Sequence, residues 1–242
     1  PSLVGSEMCI RDRYQIVWKI RLPRIIAAVL LGGALSVSGF LLQSFFQNPI
    51  AGPYVLGISS GAKLVVALTM IFLLEKGIMV SSLGMVVAAF AGSLLAMGFV
   101  LLISFRVSNM SLLVVCGILI GYICSAITDF CVTFADDSNI VNLHNWSMGS
   151  FSGMSWEHIR IMVIIVGITV VITFGLAKPI SAYQMGESYA RNMGVNVKVL
   201  RIALILLSSL LSACVTAFAG PISFVGIAAV SYTHLRAHET RH

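Results

Sequence analysis

Charge is what this sequence has least of. Only 10% of its 242 residues are Asp, Glu, Lys or Arg, while 58% are hydrophobic. Globular domains carry about a quarter charged residues because their surfaces face water, so a water-soluble domain of this size is excluded. The net charge of +6 is scattered over loops, with no basic patch interleaved with aromatics, which excludes a nucleic-acid partner. Strict alternation is missing too, and with it a transmembrane β-barrel, whose strands alternate over runs of about ten residues. Five cysteines make no framework. No C-x-x-C occurs, and Cys116, Cys124 and Cys131 fall on roughly one helix face as small packing residues.

Catalytic signatures are also absent. There is no G-x-x-x-x-G-K-[ST] loop, no H-E-x-x-H and no G-x-S-x-G. No paired catalytic groups fall within the apolar runs, and nothing calls for a metal or another cofactor. If ATP energises this protein, another chain hydrolyses it.

What is there is apolar length. A bilayer core of about 30 Å needs about 20 apolar residues per helix. Six runs qualify, at 25–47, 55–74, 78–105, 111–134, 158–176 and 199–220. Backbone in lipid must pair internally, so such runs are helices. The expected fold is all-α, a polytopic membrane helical bundle occupying 14–229 as one domain. The ends differ from it: 1–13 and 230–242 resemble translated sequencing-adapter DNA, and both are read as non-native, which makes the chain a fragment.

Five spans separate the basic cluster at 19–24 from the one at 178–201, so the two lie on opposite sides. Basic loops favour the cytoplasm. Arg106, Lys178, Arg191, Lys198 and Arg201 share one side, while Glu75, Lys76, Asp136, Asp137 and Glu157 share the other. The first set is placed in the cytoplasm, which leaves Arg21 and Arg24 outside, against the usual bias. Two readings fit: the pair meets an acidic partner, or it snorkels to head groups.

Along the chain, Gly32, Gly33, Ala34, Ser36, Ser38 and Gly39 form a small-residue patch that either packs closely against another helix or lines a path. Gln43 and Gln47 share a face and support a path. The turn at 48–53 contains Asn48, Pro49 and Pro53. Gly57, Ser59, Ser60 and Gly61 would leave the next span irregular at its start, which membrane depth tolerates only in protein or beside water. Lys63 is expected to snorkel to the inner surface. Asp129 is the one acidic residue inside a span, hence either functional or wetted from the outer loop. At 186–195, Glu187 favours a helix N-terminus, Arg191 is one turn on and Gly194 stops the helix. This two-turn element is a docking helix or a solvated one.

Four spaced motifs resemble the FecCD family, permease subunits of type II ABC importers for iron–siderophore complexes, haem and vitamin B12. They are Arg21-Leu22-Pro23-Arg24 with Asn48-Pro49-Ile50-Ala51-Gly52-Pro53 and the glycine-rich stretch at 56–62; Trp146 and Gly149 with Gly153 and Trp156; Gly186, Glu187, Ala190 and Gly194; and Gly220-Pro221-Ile222 with Phe224, Val225 and Gly226. The resemblance implies a permease of about ten spans in the bacterial or archaeal cytoplasmic membrane. It implies pairing with a second permease copy, two cytoplasmic ABC ATPase subunits and an extracytoplasmic substrate-binding protein that docks on Arg21 and Arg24. It further implies ATPase coupling through Gly186, Glu187, Ala190, Arg191 and Gly194. The second span would line the pathway, with Asn109, Met110 and Ser111 at the inner gate. The family's usual first span is missing before Tyr14, and Lys63 stands where a small or apolar residue is normal. From another class, an ion-gradient-driven secondary transporter is the competing function, and Asp129 alone would supply its acidic relay.

Overall fold

The computed structural model describes residues 14–48, 52–74, 82–104, 106–107, 110–135 and 137–222. Pro49, Asn109, Glu75, Lys76, Asp136 and the terminal segments 1–13 and 230–242 lie outside the described residues.

Among the described residues the fold is all-helical. It comprises α1 (Leu22–Phe46), α2 (Ile58–Leu74), α3 (Ser82–Ser104), α4 (Met110–Thr133), α5 (Asp137–Ser147), α6 (Trp156–Gly175), α7 (Ala177–Gln184), α8 (Glu187–Asn192) and α9 (Val197–Ala219). Among the described residues five helices are long and apolar enough to cross a membrane: the one running Tyr14–Phe46, and those of α3, α4, α6 and α9.

The first of these is helical well before α1 begins. Pro23 lacks an N–H and its ring crowds the carbonyl four residues back. The helix absorbs this in a wide turn at Val17–Arg21, where Leu22 N–H bonds to Val17 O. Such one-turn widenings are the usual outcome when a residue cannot fit the i→i−4 ladder.

The expected span at 55–74 is shorter than the sequence suggests. It is a single turn of 3₁₀ helix, Pro53–Leu56, followed by 17 residues of α2. The reason is where α2 starts. A Cβ on Gly57 would sit 2.8 Å from the backbone nitrogen of Gly121, midway along α4. One turn on, a Cβ on Gly61 would sit 2.7 Å from the carbonyl oxygen of Gly92, midway along α3. Only glycine permits these approaches. The chain therefore climbs from Gln47 to the mid-depth of the bundle before α2 begins, and the irregular backbone there is enclosed by α3, α4 and α9, as membrane depth requires.

Helix α9 is the most enclosed span, two-thirds of its apolar window being buried. It packs on α1 through hydroxyls. Ser38 Oγ donates to Ser208 O at 2.7 Å and lies 2.8 Å from Ser212 Oγ. Lipid offers no hydrophobic drive for helices to associate, so close packing and such bonds, about 1 kcal/mol each, hold them together. The small-residue patch thus divides. Ala34, Ser38 and Gly39 are buried, while a Cβ on Gly32 or Gly33 would meet nothing within 4 Å.

The basic clusters at 19–24 and 178–201 lie at opposite ends of the bundle, as the count of spans between them predicts. At one end Arg24 Nη2 donates to Ser152 O at 3.1 Å, and Trp156 Nε1 donates to Trp18 O at 3.1 Å. Here too the Trp146–Gly149 motif meets Gly220, with Ser150 N bonded to Ala219 O at 2.9 Å. At the opposite end α7 covers the last turn of α1, with Gln184 Nε2 on Ser44 Oγ at 2.7 Å.

Candidate functional site

The α8 end is built around one carboxylate. Gly186 at φ 123° and Gly194 at φ 79° break the chain on either side of α8, in conformations that side-chain-bearing residues rarely adopt. Between them Ala190 is fully buried and seats the helix. Glu187 lies in its first turn and binds two guanidiniums: Arg191 Nη2 at 2.5 Å and Arg201 Nη2 at 2.6 Å. The first pair follows from the four-residue spacing. The second joins residues 14 apart across the turn into α9, and nothing in the sequence pattern distinguishes Arg201 from its loop neighbours.

Tyr183 links this cluster to the rest of the bundle. Its ring is 2% exposed. Its hydroxyl accepts from Arg201 Nε at 3.2 Å and donates to Phe45 O at 3.5 Å. Its backbone carbonyl accepts from Gln47 Nε2 at 3.3 Å, and beside it Gln184 Nε2 donates to Ser44 Oγ at 2.7 Å. Gln47 therefore belongs to this network and is turned toward α7, whereas Gln43 keeps its amide nitrogen buried and unbonded among the described residues. Outward, Tyr189 on α8 is exposed (46%), as are Met185 (72%) and Met193 (64%) in the turns before and after it.

At the other end, Arg21 is exposed, and Arg24, also exposed, is partly engaged by Ser152 O.

Between the ends, α2 and α4 run parallel, and their crevice is polar. Ser60 and Ser125 hydroxyls lie 3.4 Å apart. Together with Tyr54 and Tyr122 they line a cavity of ≈ 280 Å³. Further toward the Arg21 end, Lys63, Asp129, His144 and Ser147 line another of ≈ 140 Å³. The expected snorkelling of Lys63 toward the end that carries 178–201 is overturned: because α2 starts at mid-depth, one and a half turns carry Lys63 toward the Arg21 end. Ser59 is half-buried beside Ser60, Asn48 is exposed with its N–H on Gln43 O at 3.2 Å, and Met110 opens α4. Along α4, Ser111, Tyr122, Asp129 and Thr133 are exposed in a stripe, and only 22% of the helix's apolar window is buried.

The FecCD transport family profile matches residues 4–242. The hemin transport system permease protein HmuU of Yersinia pestis is 33% identical over 87% of this chain and 64% of its own length. The vitamin B12 import system permease protein BtuC of Klebsiella pneumoniae is 34% identical over 87% of this chain and 62% of its own. The chain thus spans somewhat under two thirds of the curated relatives it matches. A solved structure described as an inward-facing conformation of a metal-chelate type ABC transporter superposes with a TM-score of 0.81 at 28% identity, covering 90% of this chain and 68% of that one. Profile, relatives and superposition agree with the four motifs and the helix order, and the chain belongs to the FecCD transport family.

Proposed function

We propose that this chain is a transmembrane permease subunit of an ABC importer that passes a metal chelate, of the iron–siderophore, haem or vitamin B12 kind, across the cytoplasmic membrane of a bacterium or archaeon. It performs no chemistry. It works by alternating access, with hydrolysis in two partner ATPases moving α8. The α8 end faces the cytoplasm, a second permease copy faces α4, and an extracytoplasmic substrate-binding protein docks by its acidic residues near Arg21 and Arg24.

The observation that carries this reading is α8 itself. A short helix, framed by two left-handed glycines and held through Glu187, exposes Tyr189, with Met185 and Met193 exposed in the turns on either side. Three exposed apolar side chains on a rigid mount fit a groove in another protein. The exposed side of α4 supports the remainder: Asp129, exposed there, would be costly against lipid and is at ease beside a wet path shared by two copies.

The test is import. The full-length permease, co-expressed with its ATPase and binding protein in cells lacking chelate uptake, is expected to restore accumulation of a radiolabelled ferric chelate, haem or cobalamin. Accumulation that persists without the ATPase, and collapses with an ionophore, would contradict it.

A further inference from the structure

The network around Tyr183 has a direction. Arg201 and Glu187 fasten α8 to the start of α9, but Tyr183 and Gln184 fasten the same assembly to α1, through Phe45 O, Ser44 Oγ and the side chain of Gln47. Gln47 is the only non-glycine residue with positive φ among the described residues, at φ 50° and ψ 36°. This left-handed end of α1 is held by the backbone N–H groups of Gln47 and Asn48, both on Gln43 O, and the Gln47 amide adds a side-chain tie to Tyr183 O. Five residues later the chain reaches Gly52, then the 3₁₀ turn, then Gly57 packed on Gly121 of α4 with no room for a Cβ. The clamp on Tyr183, the left-handed end of α1 and the close Gly57–Gly121 contact follow one another along the chain.

We propose that Tyr183, Gln184 and Arg201 form a strut that delivers movement of α8 to a hinge at Gln47 and, through the turn at 53–57, to the middle of α4. The proposal rests on the reading of α8 as the ATPase contact. These are positioning residues, which touch neither cargo nor nucleotide. Helix α4 carries the exposed polar stripe, so a push at Gly121 moves the wall of the path directly, without requiring α9 to shift first.

The test measures ATP hydrolysed per chelate imported, for the complete transporter in proteoliposomes, with Gln184→Ala, Arg201→Gln and Gln47→Gly in the permease. Glycine adopts the left-handed conformation freely, so Gln47→Gly keeps the fold while releasing the joint. In each variant hydrolysis is expected to stay near wild type while import falls about tenfold, a typical size for lost coupling between sites. Arg201→Lys, which keeps the pair with Glu187 but cannot also reach Tyr183, is expected to recover import only partly. Import and hydrolysis falling in proportion, or an unchanged ratio, would overturn the strut. A cysteine crosslink from Tyr189→Cys to the ATPase, formed in wild-type background and in every variant, keeps the reading of α8 standing whichever way the ratio moves. Its absence in wild-type background removes that reading and the strut with it.

Discussion

Glu187 Oε2 lies 2.6 Å from Arg201 Nη2, joining α8 to the second turn of α9, the most enclosed span among the described residues. The pair is about one-third exposed, so its electrostatic contribution to stability is modest, under about 1 kcal/mol by analogy with surface pairs. Its value is geometric: with Arg191 on the other carboxylate oxygen, it fixes how α8 points.

Glu187→Gln should therefore uncouple more than it unfolds. The melting temperature of the detergent-solubilised permease is expected to fall by only a few degrees, consistent with a loss of about 1 kcal/mol, while import falls much further. A variant that imports normally, or one that fails to fold, would contradict this division.

Arg21→Glu is expected to weaken docking of the binding protein about tenfold at low ionic strength, with the difference shrinking as salt screens the contact. Arg24→Glu should cost less, since Arg24 already spends a donor on Ser152 O. Titration of the reconstituted permease with the binding protein at two salt concentrations checks both; unchanged affinity at low salt would remove Arg21 from the interface.

Gly61→Val should prevent α2 and α3 from meeting. Its Cβ would fall 2.7 Å from a backbone oxygen that cannot move aside, and overpacking of this kind costs about 1–3 kcal/mol or more. Gly98→Ala, with nothing within 4 Å of the new methyl, is the matched control and should be tolerated. Size-exclusion profiles and thermal aggregation of both variants provide the comparison.

Lys63→Cys, in a background without other cysteines, should react with a membrane-impermeant maleimide added from the outside. The cavity it shares with Asp129 and His144 lies toward that end of the bundle. Labelling only from the cytoplasmic side would restore the inward placement expected from its position early in the second apolar run.

The membrane helices were legible because lipid imposes one rule, and composition obeys it over 20 residues at a time. The α8 element was legible because glycine, glutamate and arginine each act on their own local backbone. What escaped was long-range. Arg201 and Tyr183 matter through partners on other elements, and no periodicity encodes a pair 14 apart or a phenol placed under Phe45 O. Lys63 was misplaced for a related reason. Apolar length cannot reveal that a run begins at mid-depth, which depends on Gly57 meeting Gly121 across 64 residues. The inner-gate candidates Asn109, Met110 and Ser111 rest on the family resemblance, and Asn109 lies outside the described residues.

The most direct test of coupling through α8 is a crosslink. With Tyr189→Cys in the permease and single cysteines along the groove of the co-expressed ATPase, mild oxidation is expected to give a permease–ATPase disulfide whose yield changes when ATP is added. No disulfide at any groove position, with the two proteins shown to co-purify, would contradict the account.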